Sequence, residues 1–67
     1  MQGKVKWFSE PKFYGFITKP DGTDRFVHGN DIREGDTLQT GSLVEFDEAP
    51  GRGGKMCAKH VRLVRES

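Results

Sequence analysis

With 67 residues, the chain is the length of one small domain and too short for a deep, enclosed catalytic pocket. Its single cysteine, Cys57, excludes an intrachain disulfide, and Cys57 with His28 and His60 falls one ligand short of a zinc site. A net charge of +1 argues against a protein that grips duplex through bulk electrostatics.

Nine glycines and three prolines interrupt the chain too often for a long amphipathic helix, so strands and turns are expected. Residues 4–8 form the first predicted strand and residues 14–19 the second. Pro20-Asp21-Gly22 is a turn, because proline presets one backbone angle and glycine permits the next. Residues 24–28 are the third strand. The polar stretch 30–41 reads as a long loop, with one turn of helix after Asp31. Residues 43–48 alternate as a fourth strand, Gly51-Arg52-Gly53-Gly54 turns the chain, and residues 56–64 are the fifth.

Five short strands predict one all-β domain over residues 1–67, a five-stranded antiparallel barrel whose closure removes exposed sheet edges. The expected core is Val5, Ile17, Val27, Leu43 or Val44, Phe46, Ala58, Val61 and Leu63. Charge is unevenly spread: residues 1–25 carry five basic groups against three acids, and residues 51–66 carry five against one. Between them, residues 31–48 hold six acids and one arginine. A fold that joins the ends would own one basic face. Lysines 4 and 6 stand where a signal peptide would need an apolar run, and no stretch is long enough to span a membrane. A cytoplasmic protein with no membrane partner is expected.

Seven aromatics are more than so thin a core can hold. Alternation places Tyr14 and Phe16 on one face of the second strand and Gly15 and Ile17 on the other. In the third strand, Phe26 and His28 flank Val27. With Ile17 and Val27 inward, Tyr14, Phe16, Phe26 and His28 face solvent. Strict alternation would put Trp7 beside Val5, so a bulge near Lys6 is needed to bring Trp7 outside. Rings interleaved with Lys4, Lys6, Lys12 and Lys19 suit single-stranded nucleic acid, whose bases stack on the rings while lysines meet phosphates. Each stacked base contributes roughly 1–3 kcal/mol.

At these residues the sequence resembles the cold-shock domain. Lys4-Val5-Lys6-Trp7-Phe8 opens it, and Lys12-Phe13-Tyr14-Gly15-Phe16-Ile17 and Asp24-Arg25-Phe26-Val27-His28 match the family's two ribonucleoprotein motifs. Leu38, Gly41, Val44 and Phe46 are similar to its fourth strand, and Ala58 with Val61 to its last. The resemblance implies an oligonucleotide/oligosaccharide-binding barrel that binds single-stranded RNA or DNA, favouring pyrimidine-rich stretches. It further implies an RNA chaperone or a regulator of transcription or translation. By the same resemblance Lys6, Trp7, Lys12, Tyr14, Phe16, Phe26 and His28 match binding positions, and Asp24 an acidic position that accepts a hydrogen bond from a base edge.

The sequence also departs from the family pattern. Phe13 stands where glycine is usual, and Tyr14 where phenylalanine is usual. Phe13 is expected to widen the patch or to pack under the Glu10-Pro11 turn. After His28, Gly29-Asn30-Asp31 replaces an aromatic followed by Ser-Ala. The next loop offers Asp36 in place of a further phenylalanine. Two platforms are therefore expected to be missing, with Asp31 adding negative charge near one. Arg25 replaces an inward apolar residue, and its guanidinium is expected to reach water at the barrel end.

Other candidates read more simply. Gly51-Arg52-Gly53-Gly54-Lys55 lacks the spacing and the following Ser or Thr of a phosphate loop, so it is a hairpin turn whose Arg52 and Lys55 can meet phosphates. Cys57 reads as a part-buried small residue. No nucleophile, base and orienting group cluster, so no enzyme activity, cofactor, metal or small-molecule substrate is expected. The leading expectation is a monomeric binder of single-stranded RNA or DNA. The alternative is a barrel of the same shape used for protein contact, motivated by the missing platforms and the acidic centre.

Overall fold

A computed structural model describes residues 1–64 of the chain, the Arg52 side chain excepted. Five strands make up the fold: β1 (Gln2–Ser9), β2 (Tyr14–Thr18), β3 (Asp24–His28), β4 (Leu43–Pro50) and β5 (Met56–Leu63). They close into a barrel in the order β1-β2-β3-β5-β4. Two short 3-10 segments, Gly29–Asp31 and Arg52–Gly54, sit in connections. The helical turn expected after Asp31 thus ends at Asp31 instead. Among the described residues no helix is long and apolar enough to cross a membrane.

The β1-β2, β2-β3, β1-β4 and β4-β5 pairings are antiparallel, as expected. Closure differs: β3 and β5 run parallel, meeting at Phe26 and Cys57. A parallel pair needs a long connection, and residues 29–55 supply it. The loop after β3 is tied to β5 along its length. The Arg33 amide donates to the Val61 carbonyl at 2.7 Å. The Asp36 carboxylate, its side chain only 1% exposed, accepts the Leu63 amide at 3.0 Å. Asp36 is therefore a strap for the loop.

The core consists of Val5, Ile17, Val27, Leu38, Val44, Phe46, Ala58 and Val61, with Phe8, Ile32 and Leu63 packed at its edge. Of the expected pair, Val44 points inward and Leu43 outward. Leu38 is buried from the loop, and Gly41 lies in a turn at φ +89°, so β4 begins after both of them. Arg25 also differs from expectation. Its Nε donates to Glu48 Oε2 on β4 at 2.6 Å, so the guanidinium is paired across the barrel. Lys19 Nζ meets the other oxygen of Glu48 at 3.0 Å.

Candidate nucleic-acid interface

The outer patch begins with a register shift. Val5 pairs with Ile17 and Trp7 with Phe16, leaving Lys6 as the extra residue of a bulge in β1. The bulge inverts the alternation, so Trp7 points outward although Val5 is buried. Gly15 permits this close approach: a β-carbon there would stand 2.7 Å from the Phe8 Cα and would also press on the Trp7 carbonyl oxygen. The ladder then aligns the remaining rings, with Phe16 opposite Phe26 and Tyr14 opposite His28.

These rings touch in a continuous set. Trp7 lies 5.6 Å from Tyr14 and 5.3 Å from Phe16 between centroids. Tyr14 and Phe26 stack at 5.6 Å with planes 29° apart, and Phe16 meets Phe26 edge-on at 5.8 Å. Such pairs hold ring geometry without filling the barrel. Trp7 is 37% exposed, while Tyr14, Phe16, Phe26 and His28 are half-buried with one side against neighbours. The His28 Nδ1 accepts the Asn30 amide at 3.1 Å, which leaves the ring hydrogen on Nε2.

The charged groups divide into paired and open ones. Lys6 Nζ donates to Asp24 Oδ2 at 2.9 Å, and Thr18 Oγ1 donates to Asp24 Oδ1 at 2.9 Å. Those two bonds, the Lys6 one foremost, hold the Asp24 carboxyl below the usual carboxylate range. The Lys6–Asp24 pair is exposed and screened by solvent, so a phosphate competes for Lys6 at small cost. Lys19, expected among the patch lysines, is instead half-buried on Glu48. Lys4, Lys12 and Lys55 have no carboxylate partner among the described residues. Lys55 lines a hollow of about 640 Å³ with Phe16, Asp24 and Phe26. The Arg52 side chain lies outside the described residues.

The structure thus gathers Lys6, Trp7, Tyr14, Phe16, Asp24, Phe26, His28 and Lys55 around one face. Lys12, exposed in the β1–β2 turn, adjoins it. Two further residues belong to this neighbourhood. Met56 is 41% exposed and lines the same hollow as Phe16 and Phe26, and Phe13 meets His28 edge-on at 5.4 Å. No periodicity marks either, because Met56 is the first residue of β5 and Phe13 lies just before β2. Asp31 carries less negative field than expected, since Lys59 Nζ lies 3.1 Å from its carboxylate.

Comparison with known proteins bears on this face. Residues 1–64 match the model of the 'Cold-shock' DNA-binding domain. The chain is 52% identical to a cold shock-like protein of Thermotoga maritima, over 96% of this chain and 98% of that protein. It is 52% identical to a cold shock-like protein of Aquifex aeolicus, over 97% and 96%. With the cold shock protein CspB of Bacillus caldolyticus it shares 45% identity, over 92% and 97%.

Proposed function

The chain belongs to the cold-shock domain family, whose members bind single-stranded nucleic acid, and from that premise we propose that its own binding surface is the ring cluster of β1–β3. In this reading Trp7, Tyr14, Phe16, Phe26 and His28 stack bases. Lys6, Lys12, Arg52 and Lys55 meet phosphates, and Asp24 accepts from a base edge with the lone pairs its fold contacts leave free. The observation that carries the reading is four rings linked in a closed circuit of contacts and held outside a filled core. Rings without a share in the core contribute little to folding but offer π-faces to any base.

Single strands are the target because duplex keeps its base faces stacked. Pyrimidine-rich stretches are favoured, since their weak self-stacking lowers the cost of unstacking onto the protein. A monomer of this kind works in the cytoplasm as an RNA chaperone or regulator, holding RNA in its open form by binding the strand that a hairpin would pair. Titration with oligo-dT, oligo-U, oligo-dA and a stable RNA hairpin tests it. The expected order is oligo-dT and oligo-U above oligo-dA, with the intact hairpin weakest. Equal affinity for hairpin and open strand would contradict it.

A further inference from the structure

Phe13 is the most exposed of the Phe, Tyr and Trp residues among those described, at 48%, and it occupies an unfavourable backbone conformation. Its φ is +61°, a region that bulky L side chains rarely adopt. The backbone is tied in place at both ends. The Phe13 amide donates to the Ser9 carbonyl at 2.7 Å, and the Phe13 carbonyl accepts the Gly29 amide at 2.8 Å. The second bond extends the β2–β3 ladder one step beyond Tyr14 and His28.

That geometry lays the ring across the strand-end residue opposite. A β-carbon at position 29 would stand 2.6 Å from Phe13 Cγ and closer still to Cδ1 and Cε1. The space where a side chain of residue 29 would start is therefore filled by Phe13. The ring does not join the core cluster. It meets His28 edge-on with planes 81° apart and borders a cleft of about 530 Å³ lined also by Phe8, Ile32, Thr37 and Leu38.

We propose that Phe13 is a further nucleobase platform, taking the base next to the one on His28 at the mouth of this cleft. An exposed ring in a strained backbone conformation yields little burial to the fold, so its π-face is what the position supplies. The β1–β2 turn thereby delivers a ring to the end of β3 that Gly29 cannot carry. The inference rests on the proposed binding of single strands by the β1–β3 face.

The test is a series of oligo-dT lengths, from about three to nine nucleotides, titrated into the wild type, Phe13→Gly, Phe13→Leu, Phe13→Tyr and Phe16→Ala. Phe13→Gly and Phe13→Leu should weaken the longer oligomers about 5- to 100-fold and leave the shortest unchanged. Phe13→Tyr should bind as the wild type does. Phe13→Leu keeps apolar cover over Gly29 without a π-face, which separates shielding from stacking. Phe13→Gly, relieved of the positive-φ strain, should melt at or above the temperature of Phe13→Leu. Unchanged affinity for Phe13→Gly and Phe13→Leu at every length, with Phe16→Ala still weakened, overturns the Phe13 platform and leaves the wider reading standing. No binding of any oligomer by the wild type overturns both.

Discussion

Trp7 stands opposite Phe16, although Val5, two residues before it, is paired with Ile17, only one residue beyond Phe16. That single offset decides the character of the surface. Without it Trp7 would follow Val5 into a core already filled by Phe46, Ile17 and Val44.

The first prediction separates platform rings from core rings. Phe16→Ala and Phe26→Ala should each weaken oligo-dT binding about 5- to 100-fold while shifting the melting temperature by only a few degrees. Phe46→Ala removes a fully buried ring and should cost about 3–5 kcal/mol, enough to unfold much of so small a domain. Titration and thermal unfolding of the three variants check this. A large loss of melting temperature for both outer rings would mean that they are structural.

Salt dependence tests the lysines. The slope of log affinity against log salt should flatten by about 0.7 for each phosphate contact removed from a single-strand binder. Lys6→Ala and Lys12→Ala should each show that change, whereas Lys19→Ala, whose ammonium is committed to Glu48, should leave the slope as it is. A slope altered as much by Lys19→Ala as by the other two would speak against this division of charge.

Glu48 links acid stability to the barrel end. Hydrogen bonds from Arg25, and then from Lys19, hold its carboxyl below the ordinary glutamate range. A folded-state value below the unfolded one contributes stability that is fully present above the ordinary range. The contribution is lost as pH falls through the depressed value. Glu48→Gln should therefore melt below the wild type at neutral pH, with the gap narrowing under acid conditions. Melting curves at several pH values measure this, and a gap independent of pH would be the wrong result for an ionised Glu48.

Gly15 is the tightest point of the β1–β2 bulge. A methyl group there meets backbone atoms of Trp7 and Phe8 that cannot swing aside. Gly15→Ala should cost about 1–3 kcal/mol and weaken binding through displacement of Trp7. Wild-type stability in that variant would show that the bulge has more room than its geometry indicates.

The faces of β2 and β3 were legible in the sequence because period-two alternation around Ile17 and Val27 admits one inward set. The bulge at Lys6 could be inferred only as a need, since no residue type marks it. The burial of Leu38 is not visible in the sequence, because an isolated apolar residue in a polar loop carries no period. In the sequence Lys19 reads as a patch lysine, because its partner, Glu48, lies 29 residues further on. The parallel closure of β3 on β5 is likewise non-local. The direction of Phe13 is not legible in the sequence, because it follows from a positive φ that its residue type disfavours.

The most direct test of the ring cluster as a base-stacking surface is the emission of Trp7 during titration with oligo-dT at low salt. Trp7 is the only tryptophan, and it touches both Tyr14 and Phe16. The account predicts saturable quenching that weakens as salt rises and shifts to higher oligomer concentration in Phe26→Ala. Emission unchanged by saturating oligo-dT would contradict it, as would quenching untouched by Phe26→Ala.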